Sequence, residues 1–486
     1  MNLKMVLKYL GYLIMSLAVF FLPSVGVAFF YAETHATLSL LAAAGTSAAL
    51  GLALWLPCRR ESAPIYAREG FVVAGLGWLL VSVLGALPFF FSGEIPNFVD
   101  ALFESVSGFT TTGASILTDV EAMSRGLVFW RSFTHWLGGI GVLAFILAVV
   151  RAKSGAGFTM HLLRAETPGP QVGKLVPKTR ESVRSLFLVY GVLSAVNLIF
   201  LLAGGMPLFD AFCTMFGTAG TGGFGIKNAS MADYSPYLQT VTTVFMALFG
   251  VNFTLYFLLA RRDWRAVLRD EELRLYVGIV VVAIALITLD LSLSGVFNSV
   301  GEGLHHGAFT VSSVITTTGY ATTNFDLWPQ FSRSLLLLLM FSGAMAGSTA
   351  GGLKTARVLI LWKSIRSAVY RLVHPRSVRT VKINGKPLEE GVIARTQFYF
   401  CVYIGILLMI FLLISVDNLP LEANFSAAVS CFNNVGPGLG MVGPAANYSV
   451  YSLFSKGVLT LGMLLGRLEI FPIVVLLLPG TWSRKN

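Results

Sequence analysis

The sequence predicts an all-α polytopic membrane protein. It contains four pseudo-symmetric repeats around one pore, each a span, a pore loop and a second span, plus two N-terminal spans. Three observations lead to this prediction. Of the 486 residues, 55% are hydrophobic and only 12% charged, and the mean hydropathy is +0.74. Apolar runs long enough to cross a bilayer recur along the whole chain. A short Gly- and Thr-rich segment recurs four times between pairs of these runs.

The composition excludes several classes of protein. Soluble domains carry about 25% charged residues, so a soluble enzyme, a disordered chain and a nucleic-acid-binding protein are all excluded. The net charge of +11 alone would have allowed phosphate partners. The four cysteines lack metal-ligand spacing, so neither a disulfide nor a zinc site is expected. No nucleophile, catalytic carboxylate pair or phosphate loop is visible, so we do not expect an enzyme.

Ten segments contain the roughly 20 apolar residues that a helix needs to cross the hydrocarbon core. The first is too long for the apolar part of a cleaved signal peptide, which has about 7–15 residues. Two others, 333–362 and 452–480, exceed the length of a simple crossing, so we expect a tilt, a break or an extension. The ten are 10–31, 36–57, 70–91, 127–150, 186–203, 237–260, 275–295, 333–362, 396–415 and 452–480.

The charges sort to opposite sides of these spans. With a cytoplasmic N-terminus, 29 of the 35 lysines and arginines lie in inner segments and five lie in outer ones. The inner face then carries +19 and the outer face −8, while Arg467 and Glu469 remain inside a span. This positive-inside pattern indicates a multi-pass protein with both termini in the cytoplasm.

Four outer loops share one pattern. Each has a semi-apolar segment of about a dozen residues, too short to span, followed by the Gly- and Thr-rich stretch. Non-helical backbone at membrane depth survives only where it lines protein or a water cavity, so re-entrant loops are favoured over turn-rich surface loops. The aligned glycines, separated by 110, 96 and 117 residues, are Gly113, Gly223, Gly319 and Gly436.

The loops divide the chain into units. The predicted units are two extra N-terminal helices in 1–69, repeat 1 in 70–180, repeat 2 in 181–270, repeat 3 with a broken second helix and a gate loop in 271–392, and repeat 4 in 393–486.

Such loops suit a dehydrated monovalent cation. A short helix that ends at the pore axis directs the negative end of its dipole there. Extended residues after it can expose carbonyl groups in place of a hydration shell. Glycine allows the backbone angles that this needs, and threonine hydroxyls can complete the coordination. The negative outer face would concentrate cations at the mouth of the pore.

The four loops and five further motifs resemble the TrkH family of bacterial potassium-uptake subunits, within the superfamily of KtrB and plant HKT proteins. The motifs are WLGGIG at 136–141, RAETPGP at 164–170, GAMAGSTAGGLK at 343–354, RLVHPR at 371–376 and GRLEIF at 466–471. The resemblance covers essentially the whole chain. It implies passive, gated uptake of K⁺ across the bacterial inner membrane, with no organic cofactor. It also implies a homodimer and a cytosolic, nucleotide-binding ring of the TrkA type.

The resemblance also assigns a potassium-binding filter. In related transporters a serine in the first loop accompanies sodium permeation, so Gly113 favours potassium. The second loop is unusually glycine-rich and the fourth has Asn-Asn and Pro437, so we expect weaker K⁺/Na⁺ discrimination than in a fourfold-identical channel. The filter residues are Thr111, Thr112, Gly113, Thr221, Gly222, Gly223, Thr317, Thr318, Gly319, Asn434, Val435 and Gly436.

A gate is expected in the third repeat. The twelve residues 342–353 include four glycines and three alanines, which either allow close helix packing or break the over-long span. The resemblance implies a break, with a mobile intramembrane gate loop under the filter. The residues assigned to the gate are Gly343, Gly347, Gly351, Gly352, Lys354 and Arg467.

Arg467 is the one basic residue that this count of charges assigns to a span and not to either face. Inserting an arginine at the centre of a span costs about 2.5–3.5 kcal/mol, so its side chain should face a cavity or a partner. An ion pair with Glu469 is doubtful because residues two apart do not share a helix face, although a neighbouring helix could supply a partner. The resemblance implies an electropositive barrier beneath the filter.

Other polar residues leave alternatives open. Glu104 either faces the outer vestibule from a pore helix or is an interfacial residue. His135, His305 and His306 lie near predicted outer helix ends and should be structural or interfacial. The basic segments 151–184 and 363–395 are expected to set the membrane topology and to contact anionic lipid. The resemblance further implies that the cytosolic nucleotide-binding ring docks on them.

Two other functions remain open at this point. One is the potassium-binding subunit of a potassium-pumping ATPase, which has a similar fourfold plan. The other is a cation-coupled symporter. Symporters tend toward inverted repeats, however, whereas these four copies share one orientation.

Overall fold

The computed structural model describes residues 1–61, 66–141, 179–377 and 380–482. Within them the chain is helical except for loops and one two-stranded hairpin, as predicted. Six of the described helices are long and apolar enough to cross a membrane, and two bent helix pairs pass the same test together. The RAETPGP motif, most of segment 151–184 and the last part of the predicted span 127–150 lie outside the described residues.

Two N-terminal spans precede the repeats. Helices α1 (Leu3–Phe20) and α2 (Leu22–Phe30) form the first, and α3 (Thr34–Trp55) forms the second. The first span therefore begins earlier than the predicted residue 10. The two spans approach closely at Gly11, where a Cβ atom would lie 2.9 Å from the carbonyl oxygen of Gly51. This contact lets the extra spans pack as a pair.

The repeats follow in order. Repeat 1 comprises α4 (Ala67–Phe91), α5 (Phe98–Phe109) and α6 (Arg125–Ile140). Repeat 2 comprises α7 (Thr179–Ala203), α8 (Leu208–Gly220), α9 (Pro236–Phe249) and α10 (Phe253–Ala260), and α11 (Trp264–Arg269) leads to repeat 3. Repeat 3 comprises α12 (Glu271–Leu293), α13 (Val300–Ile315), α14 (Gln330–Ser342) and α15 (Thr355–Val373). Repeat 4 comprises α16 (Glu390–Ile414), α17 (Leu421–Asn433), α18 (Leu453–Arg467), α19 (Phe471–Leu477) and α20 (Pro479–Trp482).

The second helices of repeats 2 to 4 are all broken. The break between α14 and α15 was expected, and the bend of 118° between α18 and α19 is one of the outcomes expected for an over-long segment. The span predicted at 237–260 is also broken, which its length did not indicate: α9 and α10 meet at 92°. The first helix ends at Phe249, and Asn252 caps the second by accepting a hydrogen bond from the Thr254 amide at 2.9 Å.

The pore helices α5, α8, α13 and α17 lie inside a shell of longer helices. In the most apolar windows of α7, α12 and α16, only 22–28% of the residues are buried, whereas the window in α4 is 67% buried. The difference arises because α1, α3 and α19 pack on α4. The outward leucines and valines of the other three helices suit contact with lipid.

A hairpin connects α15 to α16. Strands β1 (Lys382–Ile383) and β2 (Lys386–Pro387) pair antiparallel across the predicted Asn384-Gly385 turn. The Asn384 amide donates to Asp270 at 2.8 Å, and Ile383 is buried against α15. The basic connection is therefore held against the N-terminus of α12.

Candidate functional site

All four pore helices end in the same way. One or two residues after each helix end, a residue takes left-handed backbone angles, with φ between +54° and +57°: Thr111, Thr221, Thr317 and Asn434. The next amide donates to a carbonyl five residues earlier at 2.8–2.9 Å: Thr112 to Ser107, Gly222 to Gly217, Thr318 to Ser313 and Val435 to Ser430. This is the pattern of a Schellman-type helix end. Left-handed angles cost a side-chain-bearing residue about 1–2 kcal/mol, so a fourfold occurrence indicates a shared structural requirement.

The four aligned glycines close a ring. Each also has positive φ, and a Cβ on each would strike a carbonyl oxygen of the next loop. The distances from that Cβ are 1.9 Å for Gly113 to Gly222, 1.8 Å for Gly223 to Thr318, 2.3 Å for Gly319 to Val435 and 2.6 Å for Gly436 to Thr112. With the loops numbered in chain order, each contacts the next, and loop 4 contacts loop 1. The loops therefore surround one axis, and the negative ends of four helix dipoles converge there.

Side chains brace this ring. Thr112 and Thr110 share a hydrogen bond of 2.7 Å between their hydroxyls, and Thr318 and Thr316 share one of 2.8 Å. The Asn434 amide donates to the Thr112 hydroxyl at 2.9 Å, which joins loop 4 to loop 1. The irregular fourth loop thus has a bracing function that its sequence did not indicate.

The predicted gate residues meet directly under loops 3 and 4. Residues 343–354 are non-helical, and the Gly351 amide donates to the hydroxyl of Thr317, one of the predicted filter residues, at 2.7 Å. A Cβ at Gly351 would lie 2.3 Å from the Asn433 carbonyl oxygen, so the segment passes close to the end of α17. This segment, 343–354, is called the gate loop below.

Repeat 2 holds the other side of the gate loop. The Met345 amide donates to the Gly250 carbonyl at 3.1 Å, and the Phe253 amide donates to the Gly347 carbonyl at 3.1 Å. Glu272, at the start of α12, accepts from the Ala346 amide at 2.6 Å. The unpredicted break between α9 and α10 provides two of these contacts. The sequence analysis missed this break, although Asn252, a helix-capping residue type between two apolar runs, could have indicated it.

Two basic side chains fix the lower part of the gate loop. Lys354 is buried, has a φ of +74° and donates its ammonium to the Ala350 carbonyl. Arg467 donates to the Thr349 carbonyl at 2.7 Å and to the Gly138 carbonyl at 2.6 Å. Arg467 therefore ties the gate loop to the C-terminal end of α6. A small cavity is lined by residues of the gate loop and of the end of α18: Ala350, Gly351, Gly352, Lys354, Gly466, Arg467 and Glu469.

Glu469 has a partner on another helix. Its carboxylate accepts from both terminal nitrogens of Arg357, at 3.0 and 2.7 Å, and the Arg357 guanidinium lies 3.9 Å from the centre of the Tyr399 ring. This pair joins the bend after α18 to α15. Its position beside the gate loop couples two broken helices.

Glu104, left open by the sequence, lies in a buried ion pair. Its carboxylate accepts from Arg131 at 2.5 Å and from the Ile116 amide at 3.1 Å. The side chains of Arg131 and Glu104 are 2% and 0% exposed. Arg131 also donates to the Gly225 carbonyl at 3.0 Å. The pair therefore connects the segments that follow loops 1 and 2 of the ring.

Glu104→Gln should destabilise the protein by about 3–5 kcal/mol, because it leaves the Arg131 charge buried without its counter-ion. The matched control is Glu422→Gln, which removes a pair with Arg333 in which the glutamate is 48% exposed and which should contribute at most about 1 kcal/mol. Thermal unfolding in detergent compares the two variants. Equal melting temperatures would contradict the conclusion that Glu104 stabilises the fold by neutralising buried Arg131.

The histidines divide into two groups. His305 bonds Gln239 at 2.7 Å and His306 bonds Thr322 at 2.9 Å, in agreement with structural roles. The expectation for His135 is wrong in its location. This side chain is completely buried against filter loop 2, where a Cβ at Gly222 would lie 2.4 Å from its Nδ1 atom.

Known proteins share this sequence and fold. A family model described as TrkH, cation transport protein, matches residues 40–480. The chain is 36% identical over 439 residues to the Trk system potassium uptake protein TrkH of Salmonella typhimurium strain LT2, covering 89% of this chain and 90% of the relative. It is 31% identical over 485 residues to the Trk system potassium uptake protein TrkG of Escherichia coli K12, covering 99% of each. The crystal structure of the potassium transporter TrkH from Vibrio parahaemolyticus matches with a TM-score of 0.88 and 31% identity, covering 99% of this chain and 100% of that chain.

A helical membrane protein whose four pore helices end in one ring of glycine-bearing loops belongs to the class of pore-type cation transporters. Within that class, the chain belongs to the TrkH family. The resemblance drawn from the motifs and the all-α membrane fold are both confirmed. Membership of this family does not favour the pumping-ATPase subunit or the symporter.

Proposed function

We propose that the chain carries potassium into the bacterial cell, passively and down its electrochemical gradient, through the ring formed by the four filter loops. The observation that carries this proposal is the closed sequence of glycine-to-carbonyl contacts, which places four loops with one backbone conformation around a single axis. The names of the relatives, Trk system potassium uptake proteins, supply the ion.

The twelve predicted filter residues would replace the hydration shell of K⁺ with oxygen atoms. Converging helix dipoles stabilise a cation at the ring without a full negative charge, so binding remains weak enough for release. Gly113 leaves no room for a hydroxyl-bearing side chain, because Gly222 of the next loop occupies that space. Potassium is the transported substrate, and no other cofactor is invoked.

The gate loop would close the pathway beneath the ring. Gly343, Gly347 and Gly352 have positive φ, so their backbone angles are those that glycine adopts most readily. Lys354 and Arg467 would place positive charge below the filter and oppose cations until the loop moves. Movement is coupled to loop 3, since Gly351 bonds a filter threonine.

The setting of the protein is part of the same proposal. The units 1–69, 70–180, 181–270, 271–392 and 393–486 would act as two accessory helices and four repeats in the inner membrane, with both termini in the cytoplasm. The basic residues of 363–395 would face the cytoplasm, contact anionic lipid and receive a TrkA-type nucleotide-binding ring. We expect the chain to work as a homodimer.

Rubidium uptake into proteoliposomes tests the proposed function. Purified protein in liposomes loaded with potassium should accumulate radioactive rubidium after dilution into low potassium, and added cytosolic fraction should increase the rate. Protein-free liposomes prepared in parallel give the leak. Uptake at the leak rate under every condition would refute the proposal.

A further inference from the structure

Filter loop 2 lacks a side chain where the other loops have one. Its middle residue is Gly222, and the equivalent residues are Thr112, Thr318 and Val435. Gly222 is not among the residues with positive φ, so its backbone angles do not require glycine. The space for a side chain is filled instead, because a Cβ there would lie 2.4–2.6 Å from three atoms of the His135 ring.

The imidazole of His135 is fixed at both nitrogen atoms. Its Nε2 lies 3.2 Å from the Phe224 amide nitrogen, and its Nδ1 lies 2.8 Å from the Gly108 carbonyl oxygen. An amide nitrogen can only donate and a carbonyl oxygen can only accept, so the ring is neutral with its proton on Nδ1. It therefore links the end of pore helix 1 to the segment that leaves filter loop 2.

Arg131, one turn earlier on α6, supports the same segment. Its guanidinium lies 3.5 Å from the centre of the Phe224 ring, and it donates to the carbonyl of Gly225. The His135 ring lies 4.1 Å from the Phe224 ring on a centroid-to-centroid basis. Two successive turns of α6 thus position one short segment, and Glu104 orients the first of these side chains.

We propose that His135 is a specificity-determining positioning residue, and that its imidazole serves as the missing middle side chain of filter loop 2. The ring fills the space that a Cβ atom of Gly222 would take, and the carbonyl oxygen of Gly222 is the atom that Gly113 of loop 1 packs against. His135 thereby sets the spacing between loops 1 and 2, and with it the discrimination of potassium from sodium. This inference rests on the proposed function of the ring as a potassium filter.

A double-mutant cycle between His135 and Gly222 tests this role. His135→Ala should lower the ratio of rubidium to sodium uptake about tenfold, equivalent to about 1.4 kcal/mol. Gly222→Ala alone should abolish most rubidium uptake, because its Cβ meets the imidazole. The double variant should recover uptake and part of the ratio, since the added methyl group then enters the space left by the ring.

The readouts separate positioning from simple stability. Melting temperature and monodispersity are recorded for each variant in detergent. If His135→Ala does not fold, His135→Gln replaces it: its amide can still donate toward Gly108 but does not fill the space of the ring beside Gly222, so the ratio should still fall, and an unchanged ratio would overturn the inference. An unchanged ratio in His135→Ala, or losses that simply add in the double variant, would overturn the inference. A wild-type protein that transports no rubidium would instead refute the proposed function.

Discussion

Gly223→Ala is expected to reduce rubidium uptake by roughly a hundredfold, the largest effect of any single methyl group in the filter. The new Cβ would lie 1.8 Å from the Thr318 carbonyl oxygen, and the φ of +67° is unfavourable for alanine. Overpacking costs about 1–3 kcal/mol, and here the neighbour is backbone that no rotamer change can move aside. The Thr318 carbonyl group, and with it loop 3, must shift.

Gly278→Ala is the matched control, because nothing beyond the neighbouring backbone of its own helix lies within 4 Å of its Cβ position and its φ is not positive. Uptake by this variant should equal that of the wild type in the same proteoliposome assay. Wild-type uptake by Gly223→Ala, at equal reconstitution, would contradict the assignment of the ring as the pathway.

Arg467→Gln is expected to raise rubidium uptake in the absence of the cytosolic partner by about tenfold. Hydrogen bonds from a charged donor contribute about 1.5–3 kcal/mol each. Arg467 makes such bonds to Thr349 in the gate loop and to Gly138 in α6. Loss of the charge also removes electrostatic repulsion of a cation below the filter, so both effects favour the open state.

The control for this variant is Arg265→Gln, which removes an exposed arginine of α11 and changes the net charge by the same amount. Its basal uptake should match the wild type. A normal expression level of Arg467→Gln combined with unchanged basal uptake would show that the arginine has a structural role alone.

The four loops that form the ring could be located from the sequence because their backbone conformation requires glycine at one place in each. Each loop has two residues with positive φ, and glycine occupies the second of them: Gly113, Gly223, Gly319 and Gly436. This glycine lies 15 residues after the start of the pore helix in repeats 1, 2 and 4, and 19 residues after it in repeat 3, where α13 begins earlier. The gate loop could be predicted for a related reason, since an over-long span rich in small residues favours a break. Both signals are local along the chain.

The remaining features depend on contacts between distant residues. Arg131 and Glu104 are 27 positions apart, and nothing in the sequence indicates that one neutralises the other. The glycine-rich second loop was interpreted as an irregularity of the filter. The His135 ring that occupies the space beside Gly222 comes from another repeat, 87 positions earlier in the sequence. A side chain of one repeat that fills a space in the loop of another becomes visible only when the loops are placed around their axis.

Anomalous scattering from crystals grown in rubidium tests the central claim most directly. If the four loops form the potassium pathway, anomalous peaks should lie on the axis enclosed by Thr112, Gly222, Thr318 and Val435, and should disappear when potassium replaces rubidium. Rubidium bound elsewhere in the chain, with no peak inside this ring, would contradict the account.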